Sequence, residues 1–352
     1  MNNSIVIDGI IFSLQRYGGI SVYFLKLLET LRRHSVETSL ILEEPLQQSV
    51  ADETNILSIR REARLLERYR DCRLPENTSV YHSSYYRRPN RKNVPTVLTV
   101  YDFIYERFER GPRQWVHSAQ KNAAIRGAQS IICISESTKD DLLHFIGETP
   151  GQSIQVIHCG VSDDFRSLNI ETAPVPYVLF VGQRGGYKNF RLALEAMSFL
   201  PDIELHCVGG GGLRSDELAR VPNSVARRVR HLGFVTDDEL NVLYNQAVCL
   251  VYPSSYEGFG IPIIEAMRAG CPVVSTNCKA VLEVGGGALS VVYDDNPRAM
   301  SDAILNTLSS SRLGLIKRGL AVAKDYSWDK THSQTLDVYR SLGANLPGSQ
   351  PT

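Results

Sequence analysis

The feature that most constrains this chain is a repeated alternation of short apolar runs, rich in β-branched residues, with longer stretches of helical apolar spacing. In the first half the predicted strands are SIVIDGI, TSLILEE, SVYHSS, PTVLTVYD, SIICISE and QSIQVIHCG. In the second half they are YVLFVG, ELHCVGG, RHLGFV, VCLVYPS, PVVST and LSVVYD. Strands and helices that alternate in this way predict an α/β chain with two parallel, doubly wound sheets.

The length of the chain also favours two domains. It has 352 residues, of which 43% are hydrophobic, enough to fill two cores of ordinary size. Residues 166–177 (RSLNIETAPVPY) show no amphipathic period and read as a linker. We therefore predict an N-terminal domain over 1–168 and a C-terminal domain over 174–326. A last helix, over about 327–343, has an apolar face and must dock against another part of the chain.

Composition excludes several classes of protein. Lys plus Arg equals Asp plus Glu, 38 each, so no global field favours nucleic acid as a partner. The seven cysteines form no C-x-x-C pair, which predicts buried free thiols and a reducing compartment. The N-terminus lacks the basic and apolar regions of a signal peptide, and no window approaches 18 apolar residues. We expect a soluble, cytoplasmic protein with no metal site.

Two local segments are strongly basic. Residues 60–73 (RREARLLERYRDCR) carry six arginines against three acids, and residues 87–92 (RRPNRK) carry four bases and no acid. One interpretation is a solvated face. The other is a landing surface for an anionic membrane or for an acceptor that bears a diphosphate.

Four predicted loops follow strand ends, where open parallel sheets bind ligands. Gly18 and Gly19 precede a helix, an arrangement that fits either a tight turn or a phosphate approach. Arg184 and Lys188 flank two glycines and could neutralise a diphosphate, or could be ordinary surface bases. Residues 209–212 are four consecutive glycines, which could equally form a floppy loop.

The fourth loop carries two glutamates at a strand–loop–helix junction. Glu257 comes directly before Gly-Phe-Gly, and Glu265 lies about one turn into the helix that follows. Separately, the two could be a solvent-facing charge and a carboxylate satisfied by the helix start. Together, beside a helix N-terminus that favours a negative ligand, they form a far more specific pattern.

The stretch EGFGIPIIE (residues 257–265) resembles the E-x7-E signature of the retaining glycosyltransferase family 4. Further stretches resemble landmarks of that family in the same order, over essentially the whole chain: GGI, ICISESTKDDL, IHCGVSDDF, VGQRGGYKNF, LGFVTDDELNVLYNQA and YSWDKT. The resemblance implies the GT-B fold of two facing Rossmann-like domains, with the C-terminal helix crossing back to the first domain as a brace.

The resemblance also implies roles for individual residues. Glu257 would approach hydroxyls of the donor sugar, and Glu265 would accept hydrogen bonds from the nucleotide ribose. Other donor-binding positions carried over by motif are Gly18, Gly19, Arg184, Lys188, Gly233, Phe234, Gly258, Phe259 and Gly260. The residues assigned to catalysis are Glu257, Lys188 and Asp102.

Two departures from the family pattern bear on these assignments. Many members place the arginine five or six residues before the lysine, whereas Arg184 is four before Lys188 and Gln183 occupies the five-back position. Many also carry His-Asp where this chain has Tyr101 and Asp102, and the role of Tyr101 stays open.

By resemblance, the expected activity is retaining hexosyl transfer that needs no divalent metal and no cofactor; the chain contains no Asp-x-Asp. The preferred donor is GDP-mannose, ahead of dTDP-rhamnose or a UDP-hexose. The preferred acceptor is a growing glycan on undecaprenyl diphosphate in O-antigen or capsule synthesis, with peripheral contact to the inner membrane. A sugar-nucleotide epimerase and an inactive sugar-nucleotide-binding module remain alternatives. A dehydrogenase is disfavoured because no G-x-G-x-x-G follows the first strand.

Overall fold

A computed structural model describes residues 4–15, 18–44, 56–309 and 311–346. The chain forms two compact units. The first comprises Met1–Gly160 together with Trp328–Thr352, and the second comprises Val161–Ser327. Each unit contains one parallel sheet with helices between its strands.

The first unit is built on a seven-stranded sheet in the order β3-β2-β1-β4-β5-β6-β7. Its strands are β1 (Ser4–Asp8), β2 (Thr38–Glu44), β3 (Leu57–Glu62), β4 (Thr78–Ser83), β5 (Thr96–Val100), β6 (Ser130–Cys133) and β7 (Ser153–Val156). All of the pairings are parallel. Every residue of β1, β5 and β6 is buried, as expected for a parallel sheet covered on both faces.

The helices of the first unit up to residue 160 are α1 (Ile10–Leu14), α2 (Gly19–Arg33), α3 (Ile104–Phe108), α4 (Pro112–Gly127) and α5 (Glu136–Phe145). Proline at the first position starts α4, where no intrahelical N–H is needed. Ser135 caps α5 by accepting a hydrogen bond from the backbone N–H of Thr138. A short 3-10 turn, Glu67–Tyr69, follows β3.

The last helix, α14 (Trp328–Ser341), belongs to the first unit and packs on α2. The Thr30 hydroxyl lies 2.8 Å from Nδ1 of His332, and the Tyr339 hydroxyl lies 2.6 Å from Nδ1 of His82. All four side chains are buried. The expected return of the C-terminal helix to the first unit is thus confirmed.

The second unit is built on a six-stranded sheet in the order β10-β9-β8-β11-β12-β13. Its strands are β8 (Tyr177–Val181), β9 (Glu204–Val208), β10 (Val229–Gly233), β11 (Leu250–Tyr252), β12 (Val273–Thr276) and β13 (Leu289–Val292). All six correspond to predicted strands. The strand order reverses between β8 and β11, the kind of position at which doubly wound sheets bind ligands.

The helices of the second unit are α6 (Phe190–Ala196), α7 (Ser215–Leu218), α8 (Asn223–Ala226), α9 (Asp237–Gln246), α10 (Ile261–Arg268), α11 (Lys279–Gly285), α12 (Pro297–Asn306) and α13 (Arg312–Ala323). A capping box formed by Thr236 and Glu239 starts α9. Three 3-10 turns accompany them, at Gly186–Lys188, Met197–Phe199 and Gly286–Ala288.

Residues 166–177, predicted as a linker, lie in the second unit, and the division of the chain comes before them. The Asn241 side chain accepts a hydrogen bond from the backbone N–H of Arg166 at 3.0 Å. Asn245 accepts one from the N–H of Leu168 at 2.7 Å. Side chains of α9 therefore hold the start of this irregular segment.

One predicted basic surface requires correction, because Arg87 is not on a surface. Its side chain is 1% exposed and makes ion pairs with Asp8 (3.4 Å), Glu43 (3.3 Å) and Glu67 (3.0 Å). Nearby, Arg91 donates to the backbone carbonyls of the turn that precedes β4. The segment 87–92 therefore does not present four bases to a partner. Burial of a guanidinium requires such compensation by carboxylates.

The seven cysteines are free thiols and all are buried, as the sequence predicted. Among the described residues, no helix is long and apolar enough to cross a membrane. Nor does that part of the chain contain a group of three or more His, Cys, Asp or Glu side chains placed to hold a metal ion.

Candidate functional site

A lysine–glutamate pair connects the loops that follow β8 and β11. The ammonium Nζ of Lys188 lies 2.6 Å from Oε1 of Glu257, with the two side chains 15% and 9% exposed. Lys188 also donates to the Tyr252 hydroxyl at 3.4 Å and lies 5.3 Å from the centre of that ring. Because β8 and β11 are neighbours at the reversal of strand order, the pair stands where such sheets bind ligands.

The loop after β11 leads directly into α10. Its last residue, Gly260, is the N-cap and has φ +111°, a conformation that favours glycine. A β-carbon there would lie 3.0 Å from Cδ1 of Ile263. Among the described residues no side chain caps the helix, and the positive end of its dipole favours an anionic group. Phe259 is buried and packs edge-on against Tyr326, which identifies it as a structural support of this loop.

Glu265 lies on α10 and accepts a hydrogen bond from the Tyr244 hydroxyl at 3.0 Å. Burial raises the pKa of Glu265 to about 7. Burial, followed by the Glu265 charge, also raises the pKa of Tyr244 well above its ordinary value. This half-buried carboxylate has one hydrogen-bond donor among the described residues, which leaves further lone pairs for ligand hydroxyls.

Arg184 points away from Lys188 and towards the loop after β9, the tetraglycine loop (residues 209–212). The guanidinium donates to the carbonyl oxygens of all four glycines, at distances of 3.0, 3.2, 2.7 and 2.6 Å. Its Nε lies 3.4 Å from Oε1 of Glu217. The Arg184 side chain is 3% exposed, whereas the neighbouring Gln183 is exposed.

Gly233 ends β10, at the outer edge of the same sheet, and Phe234 follows it. Gly233 has φ +75°, and Phe234 is 76% exposed. The Gly233 carbonyl accepts a hydrogen bond from the N–H of Gly209 at 3.3 Å, which connects this turn to the tetraglycine loop. An exposed aromatic ring at a strand end can stack on a planar ligand.

Three of the predicted site residues belong to the first unit. Gly18 is the N-cap of α2, and Gly19 is its first residue. A β-carbon at Gly18 would collide with the amide of the Gln15 side chain, at 2.1 Å. The intervening residues 16 and 17 lie outside the described part of the chain.

Asp102 is the third of these residues, and it follows β5. Its carboxylate accepts a hydrogen bond from the N–H of Ile104 at 3.0 Å. Its carbonyl accepts one from the ammonium of Lys121, a buried side chain paired with Glu106 at 3.1 Å. Burial lowers the pKa of Lys121. Tyr101, the residue that replaces histidine, is buried, and burial raises its pKa well above the ordinary value.

The structure adds residues that the sequence reasoning missed. Tyr252 and Tyr244 contact Lys188 and Glu265. Tyr252 could have been suspected, since it ends a predicted strand just before the glutamate loop. The cluster formed by Lys121 and Glu106 left no such signal, because a lysine within a helix normally faces solvent.

A parallel, doubly wound sheet in each unit, with a glycine-lined carboxylate loop at one strand-order reversal, is the architecture of the GT-B fold. Solved structures support this fold. The sucrose-phosphate synthase of Thermosynechococcus elongatus superposes with a TM-score of 0.76 at 20% identity, over 97% of this chain and 99% of that chain.

Sequence comparison gives the family. Residues 17–165 match Glycosyltransferase Family 4, and residues 175–310 match Glycosyl transferases group 1. The O-antigen chain mannosyltransferase B of Escherichia coli is 31% identical over 309 residues, which cover 82% of this chain and 79% of that protein. The serotype-specific mannosyltransferase WbdA of Escherichia coli is 26% identical over 70% of this chain and 33% of its own length. The chain belongs to glycosyltransferase family 4, and it is an enzyme that transfers a sugar.

Proposed function

We propose that this chain transfers a hexose, with retention of configuration, from a nucleotide sugar bound by the second unit to a glycan acceptor. The observation that carries the proposal is the Lys188–Glu257 contact of 2.6 Å at the start of α10. The carboxylate would accept hydrogen bonds from sugar hydroxyls. The ammonium would offset negative charge on the departing nucleoside diphosphate.

The uncapped start of α10 supplies a second source of positive potential at the same loop. Each such group stabilises a developing charge by about a few kcal/mol in a closed site. Glu265 would accept hydrogen bonds from the ribose. As the family resemblance implies, transfer needs no divalent metal, so dialysis against a chelator should leave turnover unchanged; loss of turnover that added Mg²⁺ restores would contradict this part of the proposal.

Substitution of the pair tests the assignment. E257Q and K188M should each reduce kcat/KM by about 100-fold or more, because charge stabilisation in the transition state is lost. The pair formed by Arg191 and Glu195 on α6 provides a matched control, since its atoms also lie 2.6 Å apart. E195Q should retain turnover within about twofold, as expected of an exposed pair. Wild-type turnover in E257Q would reject the site.

The donor we propose is GDP-mannose, because a relative that is 31% identical over 82% of this chain is named as an O-antigen chain mannosyltransferase. The acceptor proposed is a growing glycan on undecaprenyl diphosphate. Incubation with GDP-mannose, dTDP-rhamnose and UDP-glucose, with and without lipid-linked glycans, tests both parts. Reaction of a sugar nucleotide without any acceptor would instead favour an epimerase.

Retention is proposed to occur by front-side attack, in which the leaving phosphate oxygen helps to remove the acceptor proton. The Glu257 carboxylate already accepts a hydrogen bond from Lys188, and this contact suits a residue that binds sugar hydroxyls. Mass spectrometry of the enzyme quenched during turnover should show unmodified protein. A glycosyl adduct on Glu257 would contradict this step.

We further propose that the first unit rests on an anionic membrane through the turn that follows β3. Leu65 and Leu66 are 81% and 64% exposed, and Leu66 adopts φ +59°, which is unfavourable for a leucine. The bidentate pair between Arg64 and Glu67 fixes this turn from inside. Exposed arginines at 60, 70 and 73 supply positive charge beside the two leucines.

Vesicle sedimentation tests the membrane proposal. The double variant L65S/L66S should bind vesicles that contain anionic lipid several-fold more weakly than the wild type. Leu313, in the second unit, is 78% exposed and provides the matched control as L313S. Unchanged sedimentation of the double variant would remove the proposal, and it would leave the transfer reaction intact.

A further inference from the structure

The loop after β8 carries two cations that point to opposite sides. Lys188 reaches Glu257 after β11, whereas Arg184 reaches the tetraglycine loop after β9. Since β8 lies between β9 and β11, this single loop connects both of its neighbours. The two cations therefore face different partners, and they need not share a role.

Every nitrogen of the Arg184 guanidinium contacts a protein acceptor. One guanidinium contacts four consecutive carbonyl oxygens and the Glu217 carboxylate, with its side chain 3% exposed. Glu217 is itself fixed, because its Oε2 accepts a hydrogen bond from the N–H of Arg214 at 2.8 Å. A diphosphate that displaced these partners would leave a buried carboxylate without its cation.

The contact with Arg184 determines which way the tetraglycine loop faces. In a planar trans peptide unit, the carbonyl and the N–H of the next residue point in opposite directions. The carbonyls of the loop point at the guanidinium, so the N–H groups of Gly210, Gly211 and Gly212 point away from it. Within the described chain, those three N–H groups donate to no protein acceptor. Successive backbone N–H groups directed to one side bind anions.

Three positions of this loop favour glycine. Gly209, Gly210 and Gly211 have φ of +80°, +73° and +72°, all in the left-handed region. A β-carbon at Gly210 would lie 3.0 Å from Nη1 of Arg184 and 3.0 Å from the carbonyl oxygen of Gly182. The backbone and the guanidinium are thus fitted to each other at Gly210.

We propose that Arg184 is a positioning residue that does not contact the donor. It holds the tetraglycine loop so that the N–H groups of Gly210 to Gly212 bind a phosphate of the nucleotide sugar. This inference rests on the proposed function, because it takes the second unit to be the donor-binding unit. Of the two cations, Lys188 is then the one that contacts the diphosphate directly.

The first measurement is hydrogen exchange of the tetraglycine loop without ligand. R184M should raise exchange at Gly209, whose N–H donates to the Gly233 carbonyl, because the loop loses the partner that holds its carbonyls. K188M should leave exchange there unchanged, since the contacts of Lys188 are with Glu257 and Tyr252. R184K should restore part of the protection, because one ammonium reaches fewer carbonyls than a guanidinium does.

The second measurement is calorimetric binding of GDP, UDP and dTDP, followed by kinetics with the tightest-bound one as its sugar nucleotide. R184M and G210A should each weaken nucleoside diphosphate binding and raise KM by about tenfold, with kcat changed by less than about threefold. The double variant R184M/G210A should be no weaker than either single variant, since both act on one loop. G286A is the control for backbone strain, because Gly286 has φ +51° and open space around it. Its affinity should equal that of the wild type.

The outcomes separate the possibilities. If R184M weakens binding while loop exchange stays at the wild-type level and G210A binds normally, Arg184 contacts the donor directly and the inference is overturned. Wild-type affinity in R184M overturns it as well. If the wild type binds none of the three nucleoside diphosphates, the proposed function itself fails, and the inference fails with it. Only variants that unfold cooperatively on heating are compared. If R184M does not fold, the same exchange and binding measurements on R184K and G210A test the proposal.

Discussion

Glu265 illustrates at the residue scale how burial and function oppose each other. The pKa of this carboxyl is about 7, against an ordinary value of 4.5, chiefly because it is buried. Near neutral pH the folded chain therefore holds a proton that the unfolded chain releases. Binding of ribose hydroxyls favours the ionised form, because hydroxyl donors stabilise a carboxylate.

The first prediction concerns stability. The raised pKa makes the folded state lose stability as pH rises from about 4.5 to 7, with the full cost present above pH 7. E265Q removes this cost and should gain about 3 kcal/mol relative to the wild type above pH 7. Below pH 4.5 the relative gain should vanish. Urea unfolding of both proteins between pH 4 and 8 measures the difference; a gain that does not depend on pH would contradict the assignment.

The second prediction concerns donor affinity. If ribose binds the ionised carboxylate, nucleoside diphosphate binding should weaken below pH 7 by up to about tenfold per pH unit. In E265Q this component should be absent. Titration of the phosphate itself is common to both proteins, so the ratio of their dissociation constants isolates Glu265. A ratio that stays constant from pH 5.5 to 8 would separate Glu265 from the ribose.

At the scale of single elements, α14 depends on two neutral histidines. His332 contacts Thr30, and His82 contacts the Tyr339 hydroxyl. Burial lowers the pKa of both histidines to about 3, from an ordinary value of 6.5. Protonation would place a charge in the apolar contact between α14 and the first sheet.

The third prediction follows from these two pKa values. Stability is fully present above pH 6.5 and should fall as pH drops from 6.5 towards 3, because only the unfolded chain takes up the two protons. Between these pH values, the two groups together should lower the free energy of unfolding by about 3 kcal/mol for each pH unit of acidification. H332N should lower the slope by about half. H34Q, at an exposed histidine on the end of α2, should leave it unchanged. Equal slopes in H332N and the wild type would contradict the prediction.

The elements differ in how well the sequence predicts them. Buried strands such as β1 and β8 are continuous apolar runs, so their pattern alone identifies them. β3 was missed because its sequence, LSIRRE, lies at a sheet edge, where charged residues are tolerated. The basic segment 60–73 therefore begins inside a strand, because Arg60 and Arg61 belong to β3.

The orientation of individual charged side chains was the least predictable part. Arg87 is buried because Asp8 and Glu43, both distant in sequence, supply carboxylates around it. The composition of residues 87–92 does not indicate that carboxylates from other segments surround Arg87. Likewise, the choice of Arg184 over Gln183 as the inward residue depends on the carbonyls of the tetraglycine loop. Both cases require contacts between separate segments, which a local pattern does not encode.

At the scale of the whole molecule, one unit is formed by a single segment of the chain and the other by two segments. The second unit is one continuous segment, Val161–Ser327, with its own buried core. The first unit combines residues up to Gly160 with the helix after Ser327. Removal of that helix would uncover Tyr23 of α2, a buried ring that packs edge-on against Trp328 and His332.

The fourth prediction uses this difference. A fragment of residues 161–327 should unfold cooperatively and bind the nucleoside diphosphate within about tenfold of the full chain, because both glutamates and Lys188 lie within it. A fragment of residues 1–160 should aggregate or lack a cooperative transition. In a chain truncated after Asp325, the first unit should likewise lose its cooperative transition. Circular dichroism melts and calorimetry measure both properties. A cooperative melt of residues 1–160 alone would show that α14 is dispensable.

The discontinuity of the first unit also sets an order of events during synthesis. Domains generally fold as units while the ribosome is still elongating the chain. The whole of Val161–Ser327 emerges before α14 exists, so the middle of the polypeptide can complete its sheet while the earlier-made strands still wait for a covering helix. The part translated first is therefore the part finished last, and in that interval it is the segment most in need of a chaperone.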